Sequence, residues 1–124
     1  MDGMRFVVVA TYDGNLSSNK AGSVLMACNA TLEKVTVVTG DPGDATLRLG
    51  DRNESSGFMT TTALTDSNAG GLTFGRGDLD GTLVAEGALP RLTVGQIFDW
   101  TLDYDGASGL AAEDVTLAFW FLEG

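Results

Sequence analysis

The chain contains no histidine and a single cysteine, Cys28, among its 124 residues. Without histidine no Ser-His-Asp or Cys-His arrangement can be drawn, and no imidazole serves as a general base near neutral pH. One cysteine permits no intrachain disulfide, no zinc finger and no four-thiolate cluster. Cations are scarce too. Seven Lys and Arg face 17 Asp and Glu, for a formal net charge of −10. A surface this acidic repels phosphate backbones and anionic lipid, so neither nucleic acid nor a membrane is expected as a partner. Only 2 prolines occur, and the 17 glycines follow no three-residue period, which removes collagen-like and proline-rich linker readings. No apolar run approaches the roughly 18 residues of a spanning helix. The run from Phe6 to Ala10 is too short for a signal peptide. Synthesis in a reducing cytoplasm is the expectation that follows.

Hydrophobic residues make up 44% of the chain, enough for one globular domain over residues 1–124 with a core of its own. Almost every segment reads as strand followed by turn. Met4 to Tyr12 is β-branched and aromatic, and Asp13-Gly14-Asn15 is expected to end it. Further strands are expected over Ser23–Cys28, Thr31–Thr39, Ala45–Leu49 and Phe58–Thr62. Short ones follow over Leu72–Phe74 and Thr82–Ala85. Gly40-Asp41-Pro42-Gly43-Asp44 is a strong turn signal. The clearest pattern lies near the end. Phe98, Trp100, Leu102 and Tyr104 alternate with Asp99, Thr101 and Asp103, a period of two with one buried and one wet face. After Asp105–Gly109, the segment Val115–Leu122 is expected to return as the second arm of a hairpin. About eight or nine short strands with hardly any helical period define an all-β chain, an antiparallel, jelly-roll-like sandwich.

The chemistry left open is carboxylate chemistry. Asp103 and Asp105 stand two apart, roughly 7 Å on a strand, a spacing used by inverting glycosidases. They lie where the alternation predicts a solvent face, and composition as a whole points away from an enzyme. Asp78-Leu79-Asp80-Gly81 and Asp103-Tyr104-Asp105-Gly106 repeat Asp-x-Asp-Gly, which is calcium-like but lacks the distant bidentate Glu of a full loop. Asp at turns satisfies Asx geometry without any metal. No metal or other cofactor is expected. Arg76-Gly77-Asp78 spells an integrin-type tripeptide inside a glycine-rich turn and reads as a solvated loop. Cys28 reads as a small buried hydrophobe, with an intersubunit disulfide as the alternative.

Two strands are apolar on both faces. If Phe119 and Phe121 point inward, Trp120 and Leu122 point out. On the first strand Phe6 and Val8 share one face, Val7 and Val9 the other. Two-sided apolar strands in an acidic chain suggest a surface covered by another subunit. Phe6, Val7, Val9, Trp120 and Leu122 are therefore the candidate subunit or capsid interface. Tyr12, Tyr104 or Trp120 stacking on sugar rings is the carbohydrate-binding alternative.

Several stretches taken in order resemble small structural proteins of tailed-bacteriophage virions. They are Gly43-Asp44-Ala45-Thr46-Leu47-Arg48-Leu49-Gly50, Gly57-Phe58-Met59, and Asp80-Gly81-Thr82-Leu83-Val84. The close is the most characteristic: Leu102 to Ala112, Val115-Thr116-Leu117 and Phe121-Leu122-Glu123-Gly124. The likeness spans Val24 to Gly124 and rests on element order and turn chemistry. It implies a head decoration or cement protein on the outer capsid surface, commonly a homotrimer, partnered with the major capsid protein and made in the host cytoplasm. A tail- or fibre-associated receptor or carbohydrate-binding module is the alternative placement. The family carries no catalytic residues. The N-terminal strand matches it less clearly, and high acidity suits either a crowded virion surface or a saline habitat.

Overall fold

A computed structural model describes residues 4–124. Nine strands are present, with no helix among the described residues: β1 (Arg5–Asn15), β2 (Lys20–Leu25), β3 (Ala30–Val38), β4 (Thr46–Asp51), β5 (Met59–Ala63), β6 (Leu72–Phe74), β7 (Arg91–Leu92), β8 (Ile97–Asp103) and β9 (Glu113–Glu123). They form two antiparallel sheets. One runs β1-β9-β3-β6, with the two-residue β7 also on β3; the other runs β2-β8-β4-β5. This is the all-β sandwich that the alternation predicts.

The buried side chains make one cluster between the sheets. Phe98 is its hub. Its ring lies 5.1 Å from Phe119, 5.5 Å from Phe121, 6.1 Å from Trp100 and 6.1 Å from Phe58. Aromatic rings in these edge-on and offset arrangements add to simple burial. Thr39 and Ser67 are the buried polar residues, and their hydroxyls bond each other at 2.7 Å.

Four expectations change. The terminal hairpin is absent: β8 lies between β2 and β4, whereas β9 lies between β1 and β3 in the opposite sheet. The reason is packing. Phe98, Trp100 and Leu102 on β8, and Val115, Leu117, Phe119 and Phe121 on β9, are all buried. Side by side in one sheet, both rows would need cover from elsewhere. Across the sandwich each row covers the other, with Trp100 and Phe119 only 4.8 Å apart. The connection from Tyr104 to Ala112 crosses the gap, tied down where Leu110 N–H donates to Asp44 at 2.7 Å.

Asp13-Gly14-Asn15 does not end β1. The strand continues through a bulge between Tyr12 and Asn15, where Gly14 takes a φ of 74° and Asp114 accepts its N–H at 2.6 Å. β2 begins at Lys20 and stops at Leu25, earlier than its apolar content suggests. Gly22 lies opposite Trp100, leaving the space that the indole fills. Thr82–Ala85 is a turn rather than a strand, held by Leu83 N–H to Gly57 O at 2.8 Å and Val84 N–H to Gly81 O at 3.0 Å.

Candidate interaction face

The two outer surfaces of the sandwich differ in kind. On the β2-β8-β4-β5 side, cross-strand neighbours are polar: Ser23 faces Asp99, Thr101 faces Arg48, and Thr46 faces Asp103. Arg52 reaches over this face, donating from Nε to Asp99 at 2.9 Å and from Nη2 to Ser23 Oγ at 2.9 Å. Ser23 Oγ donates to Asp99 at 2.5 Å. The bond from Arg52, with a smaller one from Ser23, holds the Asp99 carboxyl below the ordinary carboxylate range against the opposing effect of partial burial. Beside this network a hollow of about 110 Å³ is lined by Asn19, Thr46, Arg48, Thr61, Thr101 and Asp103. Small-molecule sites run to about 300 Å³ or more, so it is the size of a few waters.

The outer face of the other sheet is drier. Register pairs place Arg5, Leu122 and Thr31 in one row, then Val7, Trp120 and Lys34, then Val9, Ala118 and Thr36, then Thr11, Thr116 and Val38. No carboxylate stands in these rows, although the chain carries 17. Val7 is 42% exposed, Val9 57% and Val38 55%. The Lys34 ammonium sits 5.2 Å from the Trp120 ring centroid, and Trp120 Nε1 donates to Thr36 Oγ1 at 3.3 Å. The indole is thus held against β3 from both Lys34 and Thr36. Glu33 borders the rows at the Arg5 end, bonded to Arg5 Nε at 2.9 Å. Asp13 and Asp114 lie beyond the opposite end.

Four of the five candidate residues, Val7, Val9, Trp120 and Leu122, therefore share this one face. Phe6 does not. It points into the sandwich and stacks on Phe121 at 5.1 Å. From there it lines a second feature, an apolar groove of about 370 Å³ at the open side between β1 and β2, with Val8, Val24, Leu25, Met26, Ala27 and Cys28. Cys28 is half-buried in this groove with its thiol free, not sealed in the core. Lys34, Thr36 and Val38 belong to the face but were hidden in the sequence. A bulge between Leu32 and Lys34 shifts the inside-outside alternation of β3 at that point. Only an interruption of the apolar period at Glu33-Lys34 signals it.

The remaining motifs resolve as local structure. Asp105 lies beyond the strand with a φ of 47°, and its N–H donates to the Asp103 carboxylate at 3.0 Å, so Asp103 closes an Asx turn and the two residues are not a strand-face pair. Asp78 accepts the Gly75 N–H at 3.1 Å, and the Arg76 guanidinium donates to Gly87 O at 2.6 Å. Asp78 is thereby folded into its own turn, and Arg76 ties that turn to the loop at Gly87. Among the described residues no group of three or more Asp, Glu, Cys or His converges as metal ligands do.

What fold and surface define is a two-sheet sandwich with one polar, charged face and one apolar, hydroxyl-rich face. No protein-family model matches the sequence, and no curated protein does. Among solved structures, a chain of the cyanophage Pam1 capsid asymmetric unit superposes with a TM-score of 0.57 at 19% identity, over 99% of this chain and 87% of that one. A chain from the acid-stable capsid of Helicobacter pylori bacteriophage KHP30 superposes with a TM-score of 0.54 at 11% identity, over 98% of this chain and 90% of that one. At these identities the shared property is the fold, and it extends through nearly the whole of each chain.

Proposed function

We propose that this chain is a bacteriophage virion structural protein, a decoration or cement protein that binds the outer surface of the head lattice and braces it. The observation that carries the reading is the carboxylate-free face of the β1-β9-β3-β6 sheet on a chain of net charge −10. The four rows on β1, β9 and β3 cover a footprint of roughly 300 Å², in which apolar and polar side chains are equally represented. Exposed Val7, Val9 and Val38 around a partly exposed Trp120 make a contiguous apolar cluster, and such clusters on a domain surface are favoured interaction sites. The polar opposite face, with its Arg52–Asp99–Ser23 network, suits solvent. Two kinds of support come from the fold. We read the strand orders β1-β9-β3-β6 and β2-β8-β4-β5 as a jelly roll, an architecture recurrent in capsid proteins. The chains that share the fold are parts of two phage capsids.

The mechanism is thermodynamic and involves no catalysis. A protein that binds the mature lattice more tightly than its precursor or its dissociated subunits stabilises that lattice by mass action. Trp120, flanked by Val7, Leu122 and Ala118, is the central aromatic anchor. The test is co-sedimentation of the purified chain with capsid shells lacking it. Trp120→Ala is expected to weaken binding by roughly thirtyfold, in the range of a truncated aromatic anchor. Asn53→Ala, on the other sheet's loop, should leave binding unaltered. Equal binding by Trp120→Ala and the parent chain would overturn the assignment of the face.

A further inference from the structure

β1 is an edge strand, and among the described residues its free side is unpaired, with charge and a bulge only at the ends of the strand. It is 11 residues long, and from Phe6 to Tyr12 it holds no charge and no proline. Edges of this kind recruit another strand unless something covers them. The hydrogen-bonding direction follows from one contact. Glu123 N–H donates to Met4 O at 2.8 Å, so the even residues Phe6, Val8, Ala10 and Tyr12 turn their backbone groups toward β9. Those of Arg5, Val7, Val9 and Thr11 project from the open edge.

We infer that the β1 edge is a homodimer interface, at which the β1 strands of two copies pair antiparallel about a two-fold axis through Val9. The charge pattern selects both the occupant and the register. With Val9 opposite the second copy's Val9, Arg5 falls opposite the second copy's Asp13, twice per dimer. Both side chains are exposed at opposite ends of the strand. Val7 then meets the second copy's Thr11. On the inner face Phe6 meets the second copy's Tyr12, and Val8 its Ala10. Opposite charges and aromatic pairs directly across a ladder are the stabilising cross-strand combinations. Every open backbone group from Arg5 to Asp13 gains a partner in this register. The apolar groove lined by Phe6, Val8 and Val24 to Cys28 comes to lie against the second copy's Ala10 and Tyr12. The arrangement is isologous and closes at two copies, where the virion-protein resemblance implies three. It concerns the free chain and stands apart from capsid binding.

Sedimentation velocity and engineered disulfides test it. The parent chain is expected to show a reversible monomer–dimer equilibrium. Arg5→Asp sets like charges opposite each other and should weaken the dimer by roughly tenfold. Arg5→Asp combined with Asp13→Arg should restore it, which a mere loss of the Arg5–Glu33 bond would not allow. In a Cys28→Ser background, Val9→Cys should oxidise to a covalent dimer, since Cα atoms in a hydrogen-bonded antiparallel pair stand about 5.5 Å apart. Val7→Cys alone should not, whereas an equimolar mixture of Val7→Cys and Thr11→Cys chains should form the mixed dimer. A chain that stays monomeric at high concentration, a trimer, or self-linking of Val7→Cys as readily as Val9→Cys would overturn the inference.

Discussion

The carboxyl of Asp99 accepts bonds from Arg52 and Ser23 on an exposed sheet face, and its pKa is lowered chiefly by the bond from Arg52. In the unfolded chain the same group titrates near its ordinary value, about 3.9. Folded-state affinity for the proton is therefore the weaker one. The resulting stabilisation is complete above the unfolded pKa and is lost as pH falls through the folded one. Asp99→Asn is accordingly expected to lower the melting temperature at pH 7, with the difference from the parent chain closing below about pH 4. Melting curves taken from pH 7 to pH 2.5 check this. A gap that persists unchanged to pH 2.5 would show that the substitution acts through packing, not charge. The alternation along β8 marks Asp99 only as a polar, solvent-side position. Its partners come from another strand and a distant loop, which no local pattern records.

At the scale of elements, the alternation in β8 and β9 was legible because a period of two reports which face is buried. It does not report which strand lies alongside. Asp105-Gly106-Ala107-Ser108-Gly109 has the turn chemistry of a hairpin and equally of a crossing between sheets, so the pairing of β8 with β2 and β4 emerges only from packing. β2 shows the same limit. Gly22 weakens the strand signal, yet the residue is required, because a Cβ there would overlap the Trp100 ring. Gly22→Ala is expected to cost about 1–3 kcal/mol, the usual range for overpacking. In a Trp120→Phe background, it should also change the emission of Trp100, whose Nε1 now bonds Tyr12 Oη at 3.2 Å. Unaltered stability and emission would mean that the indole does not depend on that space.

At the scale of the whole molecule, the chain is polarised. Its carboxylates crowd the loops, the ends and the β2-β8-β4-β5 face, while the centre of the opposite face carries Val7, Val9, Ala118, Trp120 and Leu122 among threonines. Val7, Val9, Trp120 and Leu122 were legible as one surface because each lies next to an inward-facing neighbour on its own strand. The sequence groups Phe6 with them because it shows two apolar faces of β1 without showing that they serve different places. One lies on the sheet exterior and the other on the groove. Net charge summed along the chain conceals this separation entirely.

A cement role needs many copies of that apolar face to meet a repeating lattice. Quantitative mass spectrometry of purified virions, counting this chain against the major coat protein, tests it most directly. Hundreds of copies in a simple ratio to the coat protein are predicted. A handful of copies would overturn the cement role and move the chain to a vertex or the tail, and none at all would remove it from the virion.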